Sequence, residues 1–196
     1  MALKHQNTYK HLLNFIGPKT RPILENFHYQ NGDVVATDAH IVLKVKNVAP
    51  DNLGEFNFNP KTLEINTDTY PDVSRVIPTN FSSEWKITPA SCSVITKLLK
   101  GFPKDTRIKV KVNLDGLEIS NGEISSLFPI RHVAGDNRAE FTCNATYLKH
   151  ILTFVTDYTD DLVTFGFISE IRPMVFKVDG EFTAVLTPLR SLKGRA

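Results

Sequence analysis

The chain has 196 residues, 41% of them hydrophobic, enough to bury a core as one compact domain or two small ones. Its 23 basic and 21 acidic residues leave a formal charge of +2, so net charge alone points to neither a nucleic acid nor a membrane surface. No apolar run is long enough for a signal segment or a bilayer span, and Cys92 and Cys143 stand far apart without a C-x-x-C context; both features fit a cytoplasmic protein with buried thiols and argue against a zinc site or a disulfide scaffold.

In chain order, "TYKHLLNFI" (8–16) reads as a helix ended by Gly17-Pro18. Three strands follow, "ILENFHY" (23–29), "DVVAT" (33–37) and "HIVLKV" (40–45), separated by Asn31-Gly32 and by the turn opening at "TDAH". Residues 48–83 are rich in Asn, Asp, Thr and Pro and read as a linker with some structure of its own. It holds one hairpin, "EFNF" and "TLEI" around Asn59-Pro60, and then "TYPDVSRVIP".

A second unit opens with the strand "EWKIT" (84–88) and the amphipathic helix "PASCSVITKLLKGF" (89–102), with Val94, Ile95, Leu98 and Leu99 on one face. The strands "RIKVKV", "GLEIS" and "EISSLFPI" follow, with Asn121-Gly122 as a hairpin signal. The third unit repeats the order. "AEFTC" is a strand, and "NATYLKHILTFV" a helix with Asn144 as N-cap and Leu148, Ile151, Leu152 and Val155 as its apolar stripe. "LVTFGFI", "MVFKV" and "FTAVL" complete it, with Asp179-Gly180 at the last turn. The fold class is therefore α+β, and the helix-plus-meander unit occurs three times. An ordinary α+β domain with an accidental repeat is the alternative on pattern alone.

Charge placement favours a repeat with a purpose. Residues 1–24, 88–101 and 141–156 contain no Asp or Glu, where a proportional share would be roughly six. They carry Lys4, Lys10, His11, Lys97, Lys100, Lys149 and His150. A solvated helix face normally mixes both signs, so losing one sign points to a polyanion; chance in short windows is the alternative. Lysine and hydroxyl groups without an aromatic platform suit phosphate contacts that hold duplex DNA without reading its sequence.

Asp38 and His40 look like the start of an active site, yet no G-x-S-x-G, H-E-x-x-H or G-x-x-x-x-G-K motif accompanies them. An Asp opening a turn hydrogen-bonds its own backbone, which explains Asp38 without chemistry. His28 and His132, near strand ends and without ligand partners, read as structural. No enzyme activity, cofactor or metal is expected.

Three stretches, "RPILENFHYQNGDVVATDAHIVLKV", "YPDVSRVIP" and "FTAVLTPLR", resemble parts of the bacterial sliding clamps, the β subunit of DNA polymerase III. In that family a strand ends in an A-T-D-G-H turn, a later segment reads F-P-D-Y-x-x-V-x-P, and the chain ends near M-P-M-R. "FTCNATYLKHIL" is similar to the family's last helix. The resemblance implies a clamp fold of repeated strand-helix-meander units, with helices lining a DNA channel and sheets outside. It also implies an apolar pocket for short peptides of polymerases and other replication proteins. Carried over residue by residue, that pocket comprises Leu24, Thr37, Ala39, His40, Val42, Pro71, Val76, Val185 and Thr187, with Arg75 on its rim.

The departures are specific. The chain has room for two domains at most: residues 1–80 as a truncated clamp-like domain and 81–196 as a full one. So short a clamp suggests a phage or mobile-element protein. Ala39 replaces the usual turn glycine, Ile41 the usual Arg, and Thr187 the usual Met. The chain also runs on as a basic "SLKGRA". Clamp rings contain twelve such units, so three units per chain imply four chains, and a compact fourth unit in residues 50–70 implies three. The expected function is a homo-oligomeric DNA sliding clamp that tethers a polymerase to duplex DNA. The alternative is a clamp-like adaptor or decoy that binds clamp-seeking peptides without forming a ring.

Overall fold

The computed structural model describes residues 7–190. Among these, helix α1 (Thr8–Leu12) precedes strands β1 (Phe27–Gln30), β2 (Asp33–Thr37) and β3 (Ile41–Val45). Short strands β4 (Phe56–Phe58) and β5 (Ile65–Asn66) follow, then β6 (Ser83–Ile87), α2 (Pro89–Lys100), β7 (Arg107–Val112), β8 (Leu117–Ser120), β9 (Ser125–Phe128) and β10 (Arg131–Gly135). The last unit is β11 (Ala139–Asn144), α3 (Ala145–Tyr158), β12 (Val163–Phe167), β13 (Met174–Val178) and β14 (Phe182–Leu186).

The helices start where their caps dictate. Thr88 accepts the Ser91 N–H ahead of α2, and the Asn144 side chain accepts the Thr146 N–H at 2.8 Å ahead of α3. At the β1–β2 turn, Asn31 and Gly32 both take positive φ (49° and 78°), the two-residue geometry that matches strand twist. α1 is shorter than its apolar pattern predicts. After Leu12 the chain tightens into i→i+3 bonds, Asn14 N–H to His11 and Phe15 N–H to Leu12, which bring Phe15 into the core. The expected strand over 23–29 begins only at Phe27, because Pro22–Glu25 wind into a 3-10 turn led by proline.

All strands pair antiparallel in two sheets, one in the order β10-β6-β12-β13-β14-β3-β2-β1-β4-β5, the other β11-β7-β8-β9. Besides β10, which pairs with β6 at the edge of the large sheet, two strands cross over. β6 leads into α2 but pairs with β12 of the third unit, and β11 leads into α3 but pairs with β7 of the second. Each unit thus donates its first strand to the other's sheet, and α2 packs against α3 between them. β3 meets β14 with Val42 opposite Val185, so the N-terminal meander continues the same sheet.

Strand alternation then builds two cores. Ile41, Leu43, Val45, Phe182, Ala184 and Leu186 face the helices, where Phe154 of α3 meets Phe182 edge-on at 5.0 Å. Val35, Val42, Val175 and Val185 face the opposite side, covered by Leu24 and Tyr70 and by Val73 and Ile77 packed against them. This second, smaller core lies at the β3–β14 seam and positions the site described next.

Candidate functional site

The turn from β2 to β3 is held by two side chains. Thr37 Oγ1 donates to the Ile41 carbonyl at 2.7 Å and accepts the Ala39 N–H at 3.0 Å. Asp38 Oδ1 accepts the N–H groups of His40 (2.8 Å) and Ile41 (2.9 Å), as a turn-opening aspartate does. The Tyr147 hydroxyl lies near the Asp38 carboxylate; burial first, then that carboxylate, pushes the phenol up to about 12. The His40 ring stacks on Tyr147 with centroids 5.7 Å apart, and its carbonyl accepts the Thr187 N–H at 2.9 Å. The Asp-x-His pair is therefore a latch between the first meander and α3.

Ala39 adopts φ = +78°, the left-handed region, so the chain keeps a glycine-like turn with an alanine in it. Ala39→Gly is expected to stabilise the fold by about 0.5–1 kcal/mol, the relief of the Cβ clash less the added freedom of the unfolded chain. Urea denaturation measures it; a loss of stability would mean that the turn carries no such strain.

Facing the turn is the segment after β5. Tyr70 is buried and stacks on His28 at 4.7 Å and 6°, while His28 Nδ1 lies 2.9 Å from Asn57 Oδ1. Asp72 accepts the Ser74 N–H and hydroxyl and pairs with Arg75 Nε at 3.1 Å; these contacts, the Ser74 bonds foremost, hold its carboxyl below its ordinary range.

Between turn, segment and seam lies one cavity of about 650 Å³, mostly apolar in its walls. Leu24, Thr37, Val42 and Val185 are its buried members, and Ala39, His40, Pro71, Val76 and Thr187 its exposed ones. Those nine residues come from four separate stretches of sequence, and the fold brings all of them together. Arg75 was expected on the rim. Its side chain is 84% exposed, turns onto Asp72 and does not line the cavity. Arg21, Ile23, Asp72, Val73 and Pro173 also line it. Arg21 and Ile23 lie in the stretch that opens "RPILENF" and Asp72 and Val73 in "YPDVSRVIP"; Pro173 alone lies outside the stretches singled out in the sequence.

The helices form a row with α3 in the middle, touching both α1 and α2. Lys10, Lys97 and Lys100 are exposed; Lys149 and His150, on the central helix, are half-buried, and burial, then Lys149, lowers the His150 pKa. His11 corrects the expectation of a DNA-facing group. It is 2% exposed, lies edge-on to Phe154 at 5.6 Å and has Nε2 3.2 Å from Asp157 Oδ2. Burial lowers its pKa more than Asp157 raises it. The α1 stripe runs through position 11 because the helix must pack on α3. Lys4 lies outside the described residues.

Among the described residues no group of three His, Cys, Asp or Glu side chains is placed to hold a metal, and no helix is long and apolar enough to cross a membrane. Cys92 and Cys143 are both buried, and burial raises both thiols, Cys92 to about 12.

Helices packed in a row against exchanged antiparallel meanders, with two meanders fused edge to edge, match the sliding-clamp fold. The chain has the fold of the bacterial DNA polymerase III β subunits. The DnaN clamp of Bartonella birtlesii superposes with a TM-score of 0.74 at 18% identity, over 94% of this chain and 64% of that one. The β subunit of Pseudomonas aeruginosa gives 0.74 at 13% identity, over 97% and 64%. The C. crescentus β sliding clamp gives 0.75 at 17% identity, over 94% and 64%. The chain thus spans somewhat under two thirds of the length of these clamps. No family model matches the sequence, and no curated protein matches it significantly.

Proposed function

We propose that this chain is a DNA sliding clamp, a non-enzymatic processivity factor that encircles duplex DNA and tethers a polymerase through a short peptide. The observation that carries this reading is the cavity at the β3–β14 seam, assembled from nine residues of separate motifs within a clamp fold. Its aliphatic walls suit a short hydrophobic peptide. The lysines of α1, α2 and α3 suit phosphates of any sequence. In this reading residues 1–80 act as a shortened clamp domain and 81–196 as a full one, and copies of the chain close a ring in the cytoplasm.

Mass measurement with and without nicked circular DNA tests the ring. The expected result is a species of three or four chains that stays on circular DNA and slides off once the circle is cut. A strictly monomeric protein that never stays on circles overturns it. One feature favours the second reading, a non-ring adaptor or decoy: among the described residues, 46–82 hold two short strands and no α-helix, where a repeat unit would need one. Peptide capture by a protein that never oligomerises would support that reading.

A further inference from the structure

Each meander of this chain has a flanking strand beside its first one: β6 beside β12, β11 beside β7, and β4 beside β1. In the second and third units that arrangement comes with a pair of helices, α2 packed on α3. The N-terminal half has the strand without the pair. Its α1 packs on α3, and among the described residues 46–82 supply no α-helix for the other flank. That flank is apolar. At about 100° per residue, Thr8 and Leu12 turn into the core, His11 turns onto Phe154 of α3, and Tyr9 and Leu13 share the side opposite His11. They are 44% and 47% exposed. The sheet carries the apolar face onward. Phe58 lies opposite Phe27 and Phe56 opposite Tyr29, both half-buried, and the exposed Ile65 lies opposite Phe58. Lys10 lies across the helix from the buried Leu12, so a helix packed on this flank would leave it free.

An amphipathic helix with an uncovered apolar flank, beside an uncovered apolar strip of sheet, lacks a partner of the same kind. We infer that the same face of a second copy covers it: two N-terminal halves meet about a two-fold axis, α1 against α1, and complete one two-helix domain. A second copy fits because β4 already fills the strand position, so a helix alone is wanted, and α1 brings the matching apolar flank. Such a contact is self-complementary and closes after two copies. The consequence for stoichiometry rests on the clamp reading: a pair carries six units, and two pairs supply the twelve of a ring, so the ring has four chains and not three.

Cross-linking of the full chain tests the pairing. Leu13→Cys treated with a short bis-maleimide is expected to give a covalent dimer as its main product, because residues near a two-fold axis meet their own copies. Cys92 and Cys143 are buried and stay out of the reaction. Ile171→Cys, 70% exposed between β12 and β13, reports random encounters and should give about tenfold less dimer. Leu13→Glu places two carboxylates in the contact and is expected to halve the mass in solution. No more dimer from Leu13→Cys than from Ile171→Cys, an unchanged mass in Leu13→Glu, or an odd number of chains in the wild type overturns the inference and leaves the face to a helix of another protein. A protein that pairs through residue 13 yet never stays on circular DNA upholds the pairing and overturns the ring reading; a three-chain species that stays on circles does the reverse.

Discussion

Val76→Asp is expected to lower the affinity for an apolar-anchored peptide by about 100-fold and to leave the fold unchanged. The side chain is 48% exposed and lines the cavity, so it is accessible to a partner and is not part of either buried core. A carboxylate there meets the aliphatic wall built by Leu24, Val42 and Val185, and an incoming peptide would strip it of water without offering a cation. Of the bases nearby, Arg75 already pairs with Asp72, while Arg21 and His40 line the same cavity, and the Asp72 carboxylate that also lines it adds like charge. Val76→Ala, which only removes two methyl groups from the wall, should cost about three- to tenfold. Anisotropy with a labelled peptide gives both numbers, and circular dichroism confirms that the variants fold. Equal binding by wild type and Val76→Asp would show that peptides dock elsewhere, and the seam cavity would lose its role.

Local patterns in this chain mark some of its structural choices and leave others without a trace. The cavity was legible only through the resemblance, which rests on short segments that each have their own backbone demand. Asp38 opens a turn that needs a left-handed residue at 39, and "YPDVSRV" needs Asp72 to cap its own 3-10 turn. The alternation of β3 and β14 separates core from seam in the structure, because a strand sends neighbouring residues to opposite faces. Long-range choices left no such trace. β6 and β11 read as strands, but nothing local says that each pairs in the other unit's sheet. β10 escaped because "RHVAG" neither alternates nor buries most of its side chains, as befits an edge strand with a register shift between His132 and Ala134. β4 joins β1 from a stretch that looked like linker, because one buried polar residue, Asn57, anchors it through Asn66 and the Asp68 carbonyl. His11 shows the limit of charge counting. It stands among cations in the sequence, yet its helical position turns it inward onto Phe154.

Trp85→Ala is expected to remove about 3–5 kcal/mol of stability, a large share of the 5–15 kcal/mol typical of a domain. Trp85 sits on the exchanged strand β6, fully buried between β10 and β12. Its indole stacks on Phe165 at 5.6 Å and meets His132 edge-on at 5.9 Å. Truncation leaves a void where the second unit's strand enters the third unit's sheet, and Phe165, itself packed on Phe141 and Phe176, cannot move to fill it. Trp85→Phe retains the stacking, and the indole N–H it removes has no acceptor among the described residues, so its cost should stay below about 1.5 kcal/mol. Because β6 and β11 tie the two sheets together, urea should unfold wild type and both variants in single transitions by far-UV circular dichroism. Trp85 is the only tryptophan, so wild-type emission should follow the same curve. A two-step transition, or a Trp85→Ala cost under about 1 kcal/mol, would mean that the exchanged strand does not hold the second and third units together.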